Sequence, residues 1–316
     1  MTTAPDPAHV SLRALMALEP AARGLSLSAR QRAGSVLAGP HGSRLRGRGL
    51  DFVELRRYLP GDDLRQLDAR ASLRLGKPFV RVYSEERDRP VVLLIDQRMS
   101  MFFGSVRFFK SVIAAELAAL CAWAALRAGD RVGGAVMTDE GVQTLRPLRS
   151  RAGVQALLGR VANANAALSA QQRARDAAGV LDTALRTARG QAPHDCLIVV
   201  ISDFAGAGVQ TESELRRLRA HNDVIAMLVY DPLAQRLPRG GRVRVSQGEV
   251  QLDLSLAQAR THRPLADFFS QRLSGVSDIL RAARVPVLPI GSDDAALPQL
   301  RRALGLLQDA PRREAA

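Results

Sequence analysis

Two unbroken apolar runs, each ending at an aspartate, constrain the fold more than any other feature of the chain. They are VVLLID at 91–96 and CLIVVISD at 196–203. A strand without a polar face is buried on both sides, which requires a sheet covered by helices above and below. Helical patterns separate the strand candidates, at about 106–127, 153–161, 177–189, 212–220, 265–284 and 297–306. Further strands are read at 132–138, at 143–146, in DVIAMLVY at 223–230 and in VPVLPI at 285–290, with a hairpin formed by GRVRVS and EVQLDLS. Strands alternating with helices give the fold class: α/β, a doubly wound, mostly parallel sheet. The expected organisation is an N-terminal helical and β-rich charged extension over residues 1–90 and the sheet domain over residues 91–310.

The chain carries a formal net charge of +14, almost all of it arginine; Lys77 and Lys110 are the only lysines. The arginines are scattered, and aromatic residues do not interleave with them, so a nucleic-acid tract is not indicated. An acidic protein partner fits the charge as well. Cys121 and Cys196 lie in apolar segments without CxxC spacing and read as buried thiols in a cytosolic protein. The N-terminal stretch lacks the basic and apolar regions of a signal peptide. No apolar helix is long enough to span a bilayer. The expected localisation is cytoplasmic.

In an open parallel sheet, ligands bind beyond the carboxyl ends of the strands. Asp96 and Asp203 fall there, and paired carboxylates suit a hard cation such as Mg²⁺. Asp96 opens the string DQRMS. It resembles the DxSxS string of von Willebrand A domains, in which an aspartate and two hydroxyls share a metal that captures a partner's carboxylate. Asp96, Ser100 and Asp203 match that pattern. The first serine is replaced by Arg98, and the threonine position falls at Gly179 or Val180, with Thr183 too far along its helix. A guanidinium beside a divalent cation is repelled by an amount on the order of several kcal/mol. Mg²⁺ is therefore disfavoured, and no metal or other cofactor is expected; if one binds, Asp96, Ser100 and Asp203 are its ligands. Arg98 is expected to replace the ion, its fork bridging Asp96 and Asp203.

Enzymatic signatures are missing. A phosphatase of the haloacid dehalogenase type needs a second aspartate where Arg98 stands. The chain has no GxxxxGK[ST] phosphate loop and no GxSxG elbow. Its five histidines have no metal-ligand spacing. A metal-dependent phosphoester hydrolase using Asp96 stays as an alternative, as does nucleic-acid binding through the basic surface.

The segment before the first buried strand alternates charges of opposite sign with Phe52, Leu55, Tyr58, Leu64, Leu67 and Phe79. That pattern reads as a packed structure with its own ion-pair network, capped at a short helix by Asp62 or Asp63. Its motif residues are Asp51, Phe52, Arg56, Tyr58, Pro60, Gly61, Asp62, Asp63, Arg65, Asp68, Ser72, Arg74, Gly76, Glu85 and Glu86. With VVLLID, ISDF and YDPLAQRLPRGG behind it, this order resembles the domain-of-unknown-function 58 family. The resemblance covers about residues 47–305. Two departures stand out: Ala69 where the family has tryptophan, and Arg98 where it has serine. The resemblance implies a von Willebrand A-like fold, in a short form without membrane helices. It also implies partnership with MoxR-type AAA+ ATPases in maturation or assembly of a client protein. The expectation is thus a non-catalytic adaptor with a degenerate metal-ion-dependent adhesion site, in which Asp96, Arg98, Ser100 and Asp203 contact the partner.

Overall fold

The computed structural model describes residues 6–27, 51–60, 62–63, 67–84, 89–171, 179–234, 242–246, 251–255 and 259–306. They form two compact units, residues 42–88 and the remainder.

In the larger unit, six strands form one sheet: β3 (Val91–Asp96), β4 (Val132–Thr138), β5 (Gly141–Leu148), β6 (Leu197–Ser202), β7 (Asp223–Tyr230) and β10 (Val287–Gly291). Their order is β10-β7-β6-β3-β4-β5. All neighbours run parallel except β5, which pairs antiparallel with β4. The chain winds outward from β3 in one direction and returns from β6 in the other. This is the doubly wound order, with its switch point between β3 and β6. The expected α/β class is present, and the two apolar runs are the two central strands.

Alternation along β3 divides the core. Val91, Leu93 and Ile95 face a layer built by α1 (Leu12–Ala17), α3 (Lys110–Arg127), α4 (Arg151–Ala167) and α8 (Ala296–Ala303). Val92 and Leu94 face α5 (Val180–Gln191), α6 (Val209–Arg219) and the C-terminal part of α7 (Ala259–Ala282). Each fully buried aliphatic side chain contributes about 1.5–3 kcal/mol. α3 is buried almost all round, so its alanines let it lie against the sheet while Trp123 fills the gap beneath α1. The Trp123 indole N–H donates to the Leu15 carbonyl at 3.3 Å. Close approach also explains a glycine in β4: a Cβ on Gly134 would lie 2.0 Å from the Leu93 carbonyl oxygen.

The N-terminal helix groups with the sheet and not with the charged segment, which corrects the expected 1–90 grouping. The reason is apolar: Leu15, Ala22, Leu25 and Leu27 are buried in the sheet's own core. The long helix after β3 begins at Lys110 and not near 106, because Gly104–Phe109 is occupied in loop contacts. The hairpin is present as β8 (Arg242–Ser246) and β9 (Gln251–Ser255).

The smaller unit pairs β1 (Asp51–Arg57) antiparallel with β2 (Phe79–Ser84), joined through α2 (Ala69–Leu75). Asp68 caps α2 by accepting from the Ala71 N–H at 2.8 Å, so neither Asp62 nor Asp63 is the cap. Asp62 instead receives both guanidinium arms of Arg56, at 2.9 and 2.7 Å, and the Leu59 N–H. The Arg56 hydrogen bonds hold its carboxyl below the usual value. Ser72 accepts from the Phe79 N–H, and the Tyr58 N–H donates to the Pro78 carbonyl. Arg74 lies in the last turn of α2, and Gly76 follows at φ 65, a conformation that glycine adopts without strain. Gly61, Arg65, Glu85 and Glu86 lie outside the described residues, while Asp51 and Phe52 are placed on β1.

Candidate functional site

The switch point between β3 and β6 brings Asp96, Arg98, Ser100 and Asp203 together at the carboxyl ends of the strands. Asp96 ends β3 and is fully buried; Asp203 follows β6 and is 7% exposed. Arg98 turns inward and is 3% exposed. Its Nε and Nη2 grip the Asp96 carboxylate at 3.0 and 2.7 Å, and its own backbone N–H adds a third bond at 3.0 Å. The Ser202 hydroxyl completes the Asp96 shell at 2.6 Å.

The expected bridge from Arg98 to Asp203 is not formed. The third arm of the guanidinium, Nη1, donates to the Ala205 carbonyl at 3.1 Å. Asp203 takes a different cation: Lys110, at the first turn of α3, donates to Oδ2 at 2.6 Å. Arg272 reaches the same oxygen from α7 at 3.4 Å. Its Oδ1 accepts from the Ser100 hydroxyl at 3.3 Å and the Ala205 N–H at 2.9 Å. The helix after β3 delivers an ammonium close enough that a second arm of Arg98 is not needed.

Each of the four carboxylate oxygens thus receives two donors, which is the full capacity of its lone pairs. A divalent ion needs at least two of those lone pairs free. Three cationic groups already face the two acids, with Asp139 nearby on the loop after β4, where it accepts from the Met99 N–H at 3.2 Å. In this arrangement the residues do not fit a hard divalent cation. No group of three or more His, Cys, Asp or Glu side chains with metal-site geometry occurs among the described residues. Gly179 caps α5, and Thr183 lies on that helix hydrogen-bonded to Arg186, so neither supplies a hydroxyl to the site.

The charges are held firmly. Burial alone would push the Arg98 pKa down, but the Asp96 carboxylate beside it outweighs this and raises it. Burial pushes the Asp203 carboxyl up; Lys110 and Arg272 overcome that and hold it at about 2, against the usual 3.8. A carboxyl depressed on folding stabilises the chain above its unfolded pKa and loses that contribution as pH falls through the folded one. The window is therefore about pH 4 down to about pH 2, and the contribution is about 2 kcal/mol. Asp203→Asn is expected to flatten the fall of Tm across that window. An unchanged pH profile in the variant would refute the assignment.

Sequence reasoning missed Lys110, Ser202 and Arg272. Ser202 had a signal, since it directly precedes Asp203 at the end of a buried strand. Lys110 had one too, as one of two lysines in an arginine-rich chain. Arg272, on an amphipathic helix distant in sequence, had none. A third strand-end acid, Asp231, was also missed. It is 4% exposed and accepts from the Ser105 N–H and hydroxyl, the Leu233 N–H and the Ser292 hydroxyl. It ties the loops after β3, β7 and β10 to one another.

The loop bearing Arg98 is also wired to the N-terminal segment. Buried Gln97 donates to the Ser111 carbonyl at 2.9 Å and accepts from Asn165 of α4 at 3.0 Å. Asn165 in turn accepts from the Val10 N–H at 2.8 Å. The Phe109 N–H, one residue before Lys110, donates to the Pro7 carbonyl at 2.8 Å.

Comparison with known proteins places the chain in a family. The chain is 29% identical over 282 residues to uncharacterized proteins of Mycobacterium bovis and Mycobacterium tuberculosis, covering 87% of this chain and 85% of theirs. Among solved structures it is similar to BatB from Bacteroides thetaiotaomicron, with 12% identity, a TM-score of 0.41, and coverage of 69% of this chain and 98% of that one. It is also similar to an aerotolerance-related membrane protein from Bacteroides fragilis, with 14% identity, a TM-score of 0.40, and coverage of 69% and 100%. No helix among the described residues is long and apolar enough to cross a membrane. The family model described as "Protein of unknown function DUF58" matches residues 54–270, more than half of the sequence, and the chain belongs to that family.

Proposed function

We propose that this chain is a non-catalytic, cytoplasmic adaptor that works with a MoxR-type AAA+ ATPase in the maturation or assembly of a client protein. The observation that carries the reading is the saturation of Asp96 and Asp203. A carboxylate whose lone pairs are all taken is neither a nucleophile nor a base. It holds loops in a fixed arrangement instead, and a rigid arrangement of loops at a strand-end crevice suits docking. Two aliphatic side chains stand exposed beside the crevice: Val106 in the loop after β3, at 69%, and Val209 at the first position of α6, at 86%. Arg272, 40% exposed in its side chain, offers the partner a cation that Asp203 holds only at 3.4 Å. The partner surface that matches is apolar with an acidic residue beside it. Arg98, by contrast, has its guanidinium arms engaged within the chain and acts by positioning loops.

Crosslinking in cells, followed by identification of the captured proteins, tests the reading. The double variant Val106→Asp/Val209→Asp is expected to weaken capture of the ATPase by about tenfold or more. Its Tm should stay within about 1 °C of the parent, because surface changes of this kind alter stability little. Capture that is unaffected moves the docking face elsewhere. Metal-dependent turnover of a phosphoester by the purified chain would overturn the non-catalytic reading.

A further inference from the structure

We propose that a cleft at the opposite end of the sheet binds a phosphate chain. The cleft lies where α6 and α7 end, at the amino ends of β7 and β10, and has a volume of about 450 Å³. Arg216 and Arg219 line it from α6, Arg281 and Arg284 from the end of α7, and the floor is alanine. Arg216 is paired with Glu212 and Arg281 with Asp278, each at 2.7 Å. Arg219 and Arg284 have no ion pair or side-chain hydrogen bond among the described residues. Two guanidinium groups of the cleft are thus without an acidic side-chain partner among the described residues, and only the helix ends offset them in part.

Cations at helix C-termini are favoured by the helix dipole, and that alone would account for arginines in the last turn. It does not account for Arg284. The Arg284 N–H donates to the Arg281 carbonyl and the Val285 N–H to the Leu280 carbonyl, each at 2.9 Å. These two bonds define the helix-ending motif whose left-handed position usually belongs to glycine. Arg284 occupies that position at φ 55. A strained residue that brings an unpaired guanidinium to a cleft points to binding, not to capping.

The chemistry of the walls selects the ligand. Guanidinium forks match phosphate oxygens in bidentate geometry. The alanine floor offers no aromatic face on which a base could stack, which sets aside single-stranded nucleic acid. Four arginines on two facing helix ends fit several phosphates in a row, either a free oligophosphate or the chain of a nucleotide.

Titration calorimetry of the full chain at near-physiological salt, with tripolyphosphate and with ATP, tests this. Saturable one-to-one binding of tripolyphosphate is expected, weakened about tenfold by Arg219→Ala and by Arg284→Gly. Arg284→Gly should at the same time raise Tm, because glycine removes the strain. A purely structural arginine would not give that pair of opposite signs. Arg13→Ala, which removes an exposed charge from α1, should change neither quantity. ATP binding as tightly as tripolyphosphate assigns the chain of a nucleotide, and ATP failing to bind assigns free oligophosphate. The proposal falls if no saturable binding is seen, or if Arg13→Ala weakens binding as much as the cleft variants do. It also falls if duplex DNA displaces tripolyphosphate with the same dependence on Arg219 and Arg284.

Discussion

Asp96→Ala is expected to destabilise the chain by about 3–5 kcal/mol. The substitution removes the only carboxylate in hydrogen-bond contact with Arg98 among the described residues, and leaves a guanidinium that is 3% exposed with the Ala205 carbonyl as its remaining described partner. Bringing such a charge back to water requires the loop after β3 to open, so the cost is a desolvation cost and not the worth of one contact. The double variant Asp96→Ala/Arg98→Met should recover most of the loss, since removing both charges leaves nothing buried and unpaired. Urea unfolding of the three proteins measures this, provided the denaturant slope stays constant across them. If the single variant costs less than about 1 kcal/mol, Arg98 points to solvent, and the inward geometry is wrong.

Lys110→Met is expected to cost about 3 kcal/mol, at the lower end of the same range, because Arg272 stays within reach of Asp203. The larger consequence concerns metal. Arg98 blocks Asp96, and Lys110 separately blocks Asp203, so Arg98→Ser alone should not create a site for Mg²⁺. Arg98→Ser/Lys110→Met frees oxygens on both acids while adding a hydroxyl between them. Millimolar Mg²⁺ should then raise Tm in this double variant by several degrees, as expected for a ligand in large excess over its dissociation constant. The parent chain should not respond. A clear upward shift of the parent's Tm with Mg²⁺ would sink the two-cation account of the site.

The central architecture was legible because it rests on patterns local to the chain. VVLLI and CLIVVIS have no polar face, and the positions of Asp96 and Asp203 at their ends follow from strand length alone. Legibility failed where contacts join distant segments. Nothing near Asp203 in sequence announces Lys110 or Arg272, 93 and 69 residues away. The bridging role assigned to Arg98 failed for a related reason. One side chain was asked to neutralise two acids, because the second cation was out of view. The cap of α2 was misplaced by competition. Asp62 has the right residue type, but Arg56 claims its carboxylate, and Asp68 sits at the helix start instead. Arg284 was read as an ordinary helix end, since handedness at a single residue leaves no trace in composition.

The tie between Pro7 and Phe109 gives the amino terminus mechanical leverage. A pull applied there loads the Pro7 carbonyl first and then the Val10–Asn165–Gln97 relay, before any strand of the sheet bears force. The turn that presents Lys110 would come loose early, and Asp203 would lose its nearest counter-ion while the central strands stayed zipped. Strain on this segment would therefore reach the crevice through hydrogen bonds before it reached the sheet.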